Sequence, residues 1–138
     1  MGMYTELLLK CEVNEKKMHG ADLDYFRFIT GQTKECPQNF PDHEFFTKDR
    51  CKFMFTHSSF YHHPSPIMSY CDGYLFCRID IKNYEGEIEA FLDWILPVIA
   101  MNGYDTQGWI WPEYADNPTL LQIDWETPVE DRKWVRAK

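Results

Sequence analysis

Residues 72–79 read DGYLFCRI, and residues 84–103 read YEGEIEAFLDWILPVIAMNG. The change of hydrophobic period between these two stretches decides the fold. From Tyr74 to Ile81, the inward set Leu75, Cys77, Ile79 and Ile81 alternates with Tyr74, Phe76, Arg78 and Asp80. A period of two predicts a strand with one face on a core. In the second stretch Ile88, Phe91, Leu92, Ile95 and Ile99 recur at helical spacing, while Glu85, Glu89 and Asp93 recur on another side. That pattern predicts an amphipathic helix with acids toward its positive N-terminal end. Pro97 is expected to kink or shorten it, and Gly103 to stop it.

Residues 4–13, YTELLLKCEV, also alternate and read as a first strand. Asp22 is the expected cap of a helix running to about Thr30, with Gly31 as its stop. Residues 31–50 hold Gly31, Pro37 and Pro41 and form a long irregular connection. CKFMFTHSSFY at 51–61 reads as a second strand, ended by HHPSP at 62–66, and the third strand is expected over 70–82. Short strands near 108–114 and 119–126 follow, then a polar tail at 127–138 that is expected to be loose. The order predicts a single α+β domain over residues 1–138. An antiparallel sheet carries two helices on one face, in a ferredoxin-like βαββαβ arrangement plus one extra strand.

The chain has 138 residues and a formal charge of −8, with aromatics at 17%. The charge is uneven. Residues 83–131 contain 11 acids and no Lys, Arg or His, and four of the five tryptophans lie there. Such a segment repels nucleic acid and favours basic partners. The bland alternative is a solvated acidic surface. Five cysteines without a C-x-x-C pair fit reduced thiols in a cytoplasm. MGMYTELLLKC lacks the pattern of a signal peptide, and Glu6 spoils the myristoylation motif that Gly2 begins. No apolar run is long enough to span a membrane.

Four segments also carry a family likeness: MYTELLLKCEV at 3–13, FPDHEFF at 40–46, RCKFMFTHSSFY at 50–61 and IKNYEGEIEAFLDWILP at 81–97. By these the chain resembles a family of small bacteriophage and prophage proteins with no assigned activity. The resemblance implies a virus-encoded accessory protein working in the cytoplasm of a bacterial host.

Several constellations in the sequence could carry chemistry. DGYLFCRI has the aromatic rhythm of an RNA-stacking strand. However, Asp72, Leu75 and Ile79 stand where that motif has a basic residue, a small residue and an aromatic. His57, His62, His63, Cys51, Cys71, Cys77, Asp42 and His43 could supply a metal site, but the paired spacing of structural zinc ligands is missing. Ser58 or Ser59 beside His57 lacks the geometry for nucleophilic catalysis, since strand neighbours face opposite ways. No cofactor is expected, and no enzymatic activity.

The reading favoured by charge is an inhibitor that binds a host antiviral defence protein, such as a CRISPR effector or another defence nuclease. It would fill that protein's basic nucleic-acid groove with acidic and aromatic residues: Glu85, Glu89, Asp93, Trp109, Trp111, Glu113 and Asp116. A single-stranded nucleic-acid-binding module and a metal-dependent enzyme are the alternatives. A second copy of the chain could also pair through an open sheet face.

Overall fold

The Asp72-Gly73 pair sets the centre of the sheet. Both residues have positive φ, 52° and 85°. That is the geometry of a two-residue hairpin turn, which Asp-Gly adopts at little cost. The expected strand over 70–82 is therefore two strands, β2 (Ile67–Cys71) and β3 (Tyr74–Ile81), paired antiparallel. The structure, a computed structural model, describes residues 4–52, 54, 55, 66–102 and 106–137.

The sheet has six strands in the order β2-β3-β1-β4-β5-β6, with every neighbouring pair antiparallel. The other strands are β1 (Thr5–Glu12), β4 (Thr106–Pro112), β5 (Thr119–Ile123) and β6 (Trp134–Ala137). The helices are α1 (Ala21–Ile29) and α2 (Glu87–Ile95). The order β2-β3-β1-β4, with one helix between β1 and β2 and another between β3 and β4, is the expected βαββαβ layout. Two strands extend it where one was expected. The tail forms β6 because Trp134 is tied down, its indole N–H donating to Leu92 O of α2 at 2.9 Å.

The expected strand over 51–61 is not seen in its described part. Asp49–Lys52 form a 3-10 turn, with Met54 and Phe55 in the turn that follows. Cys51, Met54 and Phe55 are all buried, and their spacing of three and four suits a helical turn better than a strand. Residues 53 and 56–61 lie outside the described residues.

The helix ends follow local chemistry. Gly31 has φ 82°, its N–H bonds Phe28 O, and the Gln32 N–H bonds Arg27 O at 2.8 Å. These are the paired bonds of a left-handed glycine stop, as expected. Asp22 does not cap α1. Gly20 holds the cap position, and Asp22 accepts the Trp94 indole N–H at 2.7 Å. α2 starts only at Glu87 because Gly86 is left-handed, with φ 71°. The Asn83 side chain caps it by accepting the Ile88 N–H at 2.9 Å. Past Ile95 the chain tightens into a 3-10 turn containing Pro97.

The core lies between the helices and the inward face of the sheet. Leu7, Leu9, Cys11, Leu75, Cys77, Ile79, Ile81 and Ile110 come from the strands, and Phe26, Ile88, Phe91, Leu92 and Ile95 from the helices. The 31–50 connection joins this side. Phe45 and Phe46 set their rings against Tyr25 of α1, at centroid distances of 5.9 and 4.8 Å, and against Trp94 of α2. The Tyr25 hydroxyl donates to Cys51 O at 2.7 Å. That connection therefore does not cover the outward aromatics of β3, and Tyr74 is 56% exposed.

Candidate functional site on the open sheet face

β1, β3 and β4 turn their second set of side chains away from the helices. Among the described residues no helix lies on that face. Register places Leu8 between Arg78 and Trp109, and Glu6 between Asp80 and Trp111. Tyr4, Phe76, Pro112 and Glu113 complete the walls, with Ile67 of β2 at the far side, around a groove of about 510 Å³. A second hollow beside Pro112 is lined by the 115–120 turn and includes Asp116. β1 and β4 come close because Gly108 has no Cβ, which would lie 1.9 Å from Leu8 O. That approach seats Trp109 and Trp111 over the groove.

Glu6 organises the floor. One oxygen accepts Arg78 Nε–H at 2.6 Å, and the other accepts the Trp109 indole N–H at 2.7 Å. The Trp109 and Trp111 rings meet nearly edge to face, with centroids 5.9 Å apart. Trp111 is pinned by donating to Ala115 O at 2.9 Å. At the end of the groove Glu113 accepts the Tyr4 N–H at 3.0 Å, and Lys82 Nζ stands 5.5 Å from the Tyr4 ring centroid. Three carboxylates, Glu6, Asp80 and Glu113, line the groove against one guanidinium, Arg78. Among the described residues that line the groove, carboxylates therefore exceed guanidinium groups by two. That excess repels a phosphate backbone, although the face is where RNA-stacking sheets carry their aromatics.

The seven residues singled out from sequence fall into two groups. Trp109, Trp111 and Glu113 are on the open face, and Asp116 is exposed in the adjoining turn. Glu85, Glu89 and Asp93 belong to the α2 region on the opposite side of the sheet. Glu85 is exposed before the helix starts, and Glu89 accepts from the Asn83 side chain at 2.9 Å. Asp93 is held by His43. The Phe45 N–H donates to His43 Nδ1 at 3.0 Å, which leaves Nε2 to carry the proton and donate to Asp93 at 2.9 Å. One flat partner surface cannot touch both groups.

Sequence reading missed Glu6, Asp80 and Arg78 in the groove, and the role of Glu87. Glu87 is fully buried and pairs with Arg50 at 2.9 Å, while Arg50 also donates to Lys82 O. Cations for the 83–131 segment thus come from residues distant in sequence. Among the described residues no three His, Cys, Asp or Glu side chains gather to hold a metal. His57, Ser58, Ser59, His62 and His63 lie outside the described residues. Cys11, Cys51 and Cys77 are buried, whereas Cys36 and Cys71 are exposed. Burial pushes Cys51 up to about 11 and Cys77 up to about 12. Both stay neutral thiols at physiological pH, which makes them poor nucleophiles. Among the described residues no helix is long and apolar enough to cross a membrane.

Comparison with family models, with curated proteins and with solved structures gives no match.

Proposed function

We propose that this protein is a non-enzymatic binding module whose open sheet face holds a basic segment of another protein. One observation carries the reading. A groove of about 510 Å³, walled by Trp109, Trp111, Tyr4 and Phe76, is lined by three carboxylates and one guanidinium. Indole faces supply large, rigid contact area, and an excess of carboxylates selects positive partners over phosphates. The likeness to phage proteins supplies the setting: an accessory protein that occupies the basic nucleic-acid groove of a bacterial defence protein, of which a CRISPR effector is one kind.

The test is capture of a bacterial partner on the immobilised protein beside its Trp109→Ala/Trp111→Ala variant. The module reading expects capture by the wild type and loss of about thirtyfold or more in affinity for the variant, as for truncated hot-spot residues. Equal retention by both would place the partner elsewhere on the molecule. If a partner is found, its nucleic-acid binding should fall as this protein is added.

A further inference from the structure

Resting on that reading, we infer that Arg78 is the groove's hydrogen-bond donor to the partner: its terminal nitrogens, Nη1 and Nη2, take a backbone carbonyl oxygen of the segment that the groove holds. The polar groups around it carry the first part of the argument. Glu6 spends both oxygens, one on Arg78 Nε–H at 2.6 Å and one on the Trp109 indole N–H at 2.7 Å. Asp80 is engaged as well, and Glu113 accepts the Tyr4 N–H at the end of the groove. Arg78 is different. It lines the groove with 44% of its side chain exposed, and among the described residues only its Nε has a partner. A guanidinium carries donors on every nitrogen, so the Nη1–Nη2 edge is left for an acceptor from outside.

An exposed arginine is ordinarily satisfied by water, and two observations set Arg78 apart from that case. Its guanidinium is anchored, because Nε is held by Glu6 and Glu6 is held in turn by the Trp109 indole. A donor fixed before the partner arrives gives up less freedom on binding. The pair with Glu6 also cancels its own charge, so the free edge offers hydrogen-bond capacity rather than net charge. An incoming carboxylate would stand beside Glu6, whereas an amide oxygen meets no such repulsion. The chain uses arginine in this way elsewhere: Arg50 Nη1 donates to Lys82 O at 2.6 Å, and Arg132 Nη2 donates to Thr127 O at 2.9 Å.

The experiment titrates the full chain with blocked Leu-Arg-Leu-Arg-Leu and follows binding by calorimetry. A companion series replaces each backbone amide in turn by an ester, whose carbonyl is a weaker acceptor. One ester position is expected to bind about tenfold more weakly than the amide peptide. Arg78→Lys keeps the charge and loses the edge. It should weaken the amide peptide by about tenfold and shrink the penalty at that ester position to about twofold or less. Arg78→Gln takes a cation out of a groove that receives a basic peptide, so charge matching alone would tighten binding; weakening by about threefold is expected instead. In free Arg78→Lys the Trp109 indole N–H signal should stay in place, with Glu6 still seated; should it move, the ester series on the wild type decides. A series with no sensitive position, or an Arg78→Lys protein that binds as wild type does, would overturn the role of Arg78. Tighter binding of a peptide with Glu at its centre than of its Gln counterpart would make the acceptor a carboxylate and overturn the carbonyl. Failure of the amide peptide to bind the wild type would also overturn the inference. The face itself falls only if partner capture ignores Trp109 and Trp111.

Discussion

The covered and open faces of the sheet draw on the same kinds of side chain. On the covered face Tyr25, Phe45, Phe91 and Trp94 interlock, with Phe45 5.5 Å from Phe91 and Tyr25 5.3 Å from Trp94 between centroids. Their polar tips are satisfied internally, Trp94 by Asp22 and Tyr25 by Cys51 O. On the open face Tyr4, Phe76, Trp109 and Trp111 stand around a groove instead of filling it. Charge divides in the same way. Glu87 is sealed in with Arg50, whereas Glu6, Asp80 and Glu113 border open space. Aromatic content and acidity alone therefore do not mark a site. Whether neighbouring elements cover those groups does.

The largest effects should fall on the covered face. Phe91→Ala is expected to cost about 4 kcal/mol in urea unfolding, because it empties a fully packed position. Trp111→Ala, on the open face, should cost about 1 kcal/mol or less. Comparable losses would erase the distinction between the faces. Next in size, Arg50→Ala should cost about 3 kcal/mol by stranding the buried Glu87 carboxylate. An Arg50→Ala protein as stable as wild type would mean that Glu87 finds relief elsewhere.

A smaller effect concerns alkaline pH. Unfolded thiols ionise near 9, whereas burial holds Cys51 at about 11 and Cys77 at about 12. The native state therefore binds more protons than the unfolded state across that range, and stability falls as pH rises. The contribution is complete below about pH 9 and is lost as pH passes through about 11 to 12. Melting temperatures between pH 8 and 11 should decline less steeply in Cys51→Ala than in wild type. Parallel slopes would remove Cys51 from the account. The smallest effect is expected from reversing Glu85, Glu89 and Asp93 to Lys. Those acids lie across the sheet from the groove, so affinity for a basic peptide should drop less than about threefold, through long-range screening-sensitive attraction alone. A loss above about thirtyfold would move the binding site to α2.

The local parts of this architecture were legible in the sequence. The alternation of Leu7, Leu9 and Cys11, the helical spacing of Ile88, Phe91 and Ile95, and the stop at Gly31 all stand as read. Continuous alternation from 70 to 82 hid the Asp72-Gly73 turn, although that dipeptide is itself a hairpin signal. The 127–138 tail looked loose because its pairing depends on one indole, Trp134, reaching α2. The site was only half legible. Trp109 and Trp111, two residues apart on a strand, had to share a face. Nothing local could tell that Glu6 would stand opposite Asp80 or bond Trp109. Those contacts span 74 and 103 residues and follow from sheet register.

The account rests on the open face being the one that meets a partner, and the five tryptophans report on it separately. In a ¹⁵N-edited NMR titration with a short basic peptide, such as blocked Leu-Arg-Leu-Arg-Leu, each indole N–H gives its own signal. Trp109 and Trp111 should shift progressively and saturate together, while Trp94 and Trp134, bonded to Asp22 and Leu92 O on the covered side, stay in place. Shifts of Trp94 or Trp134 with Trp109 and Trp111 unmoved would contradict it.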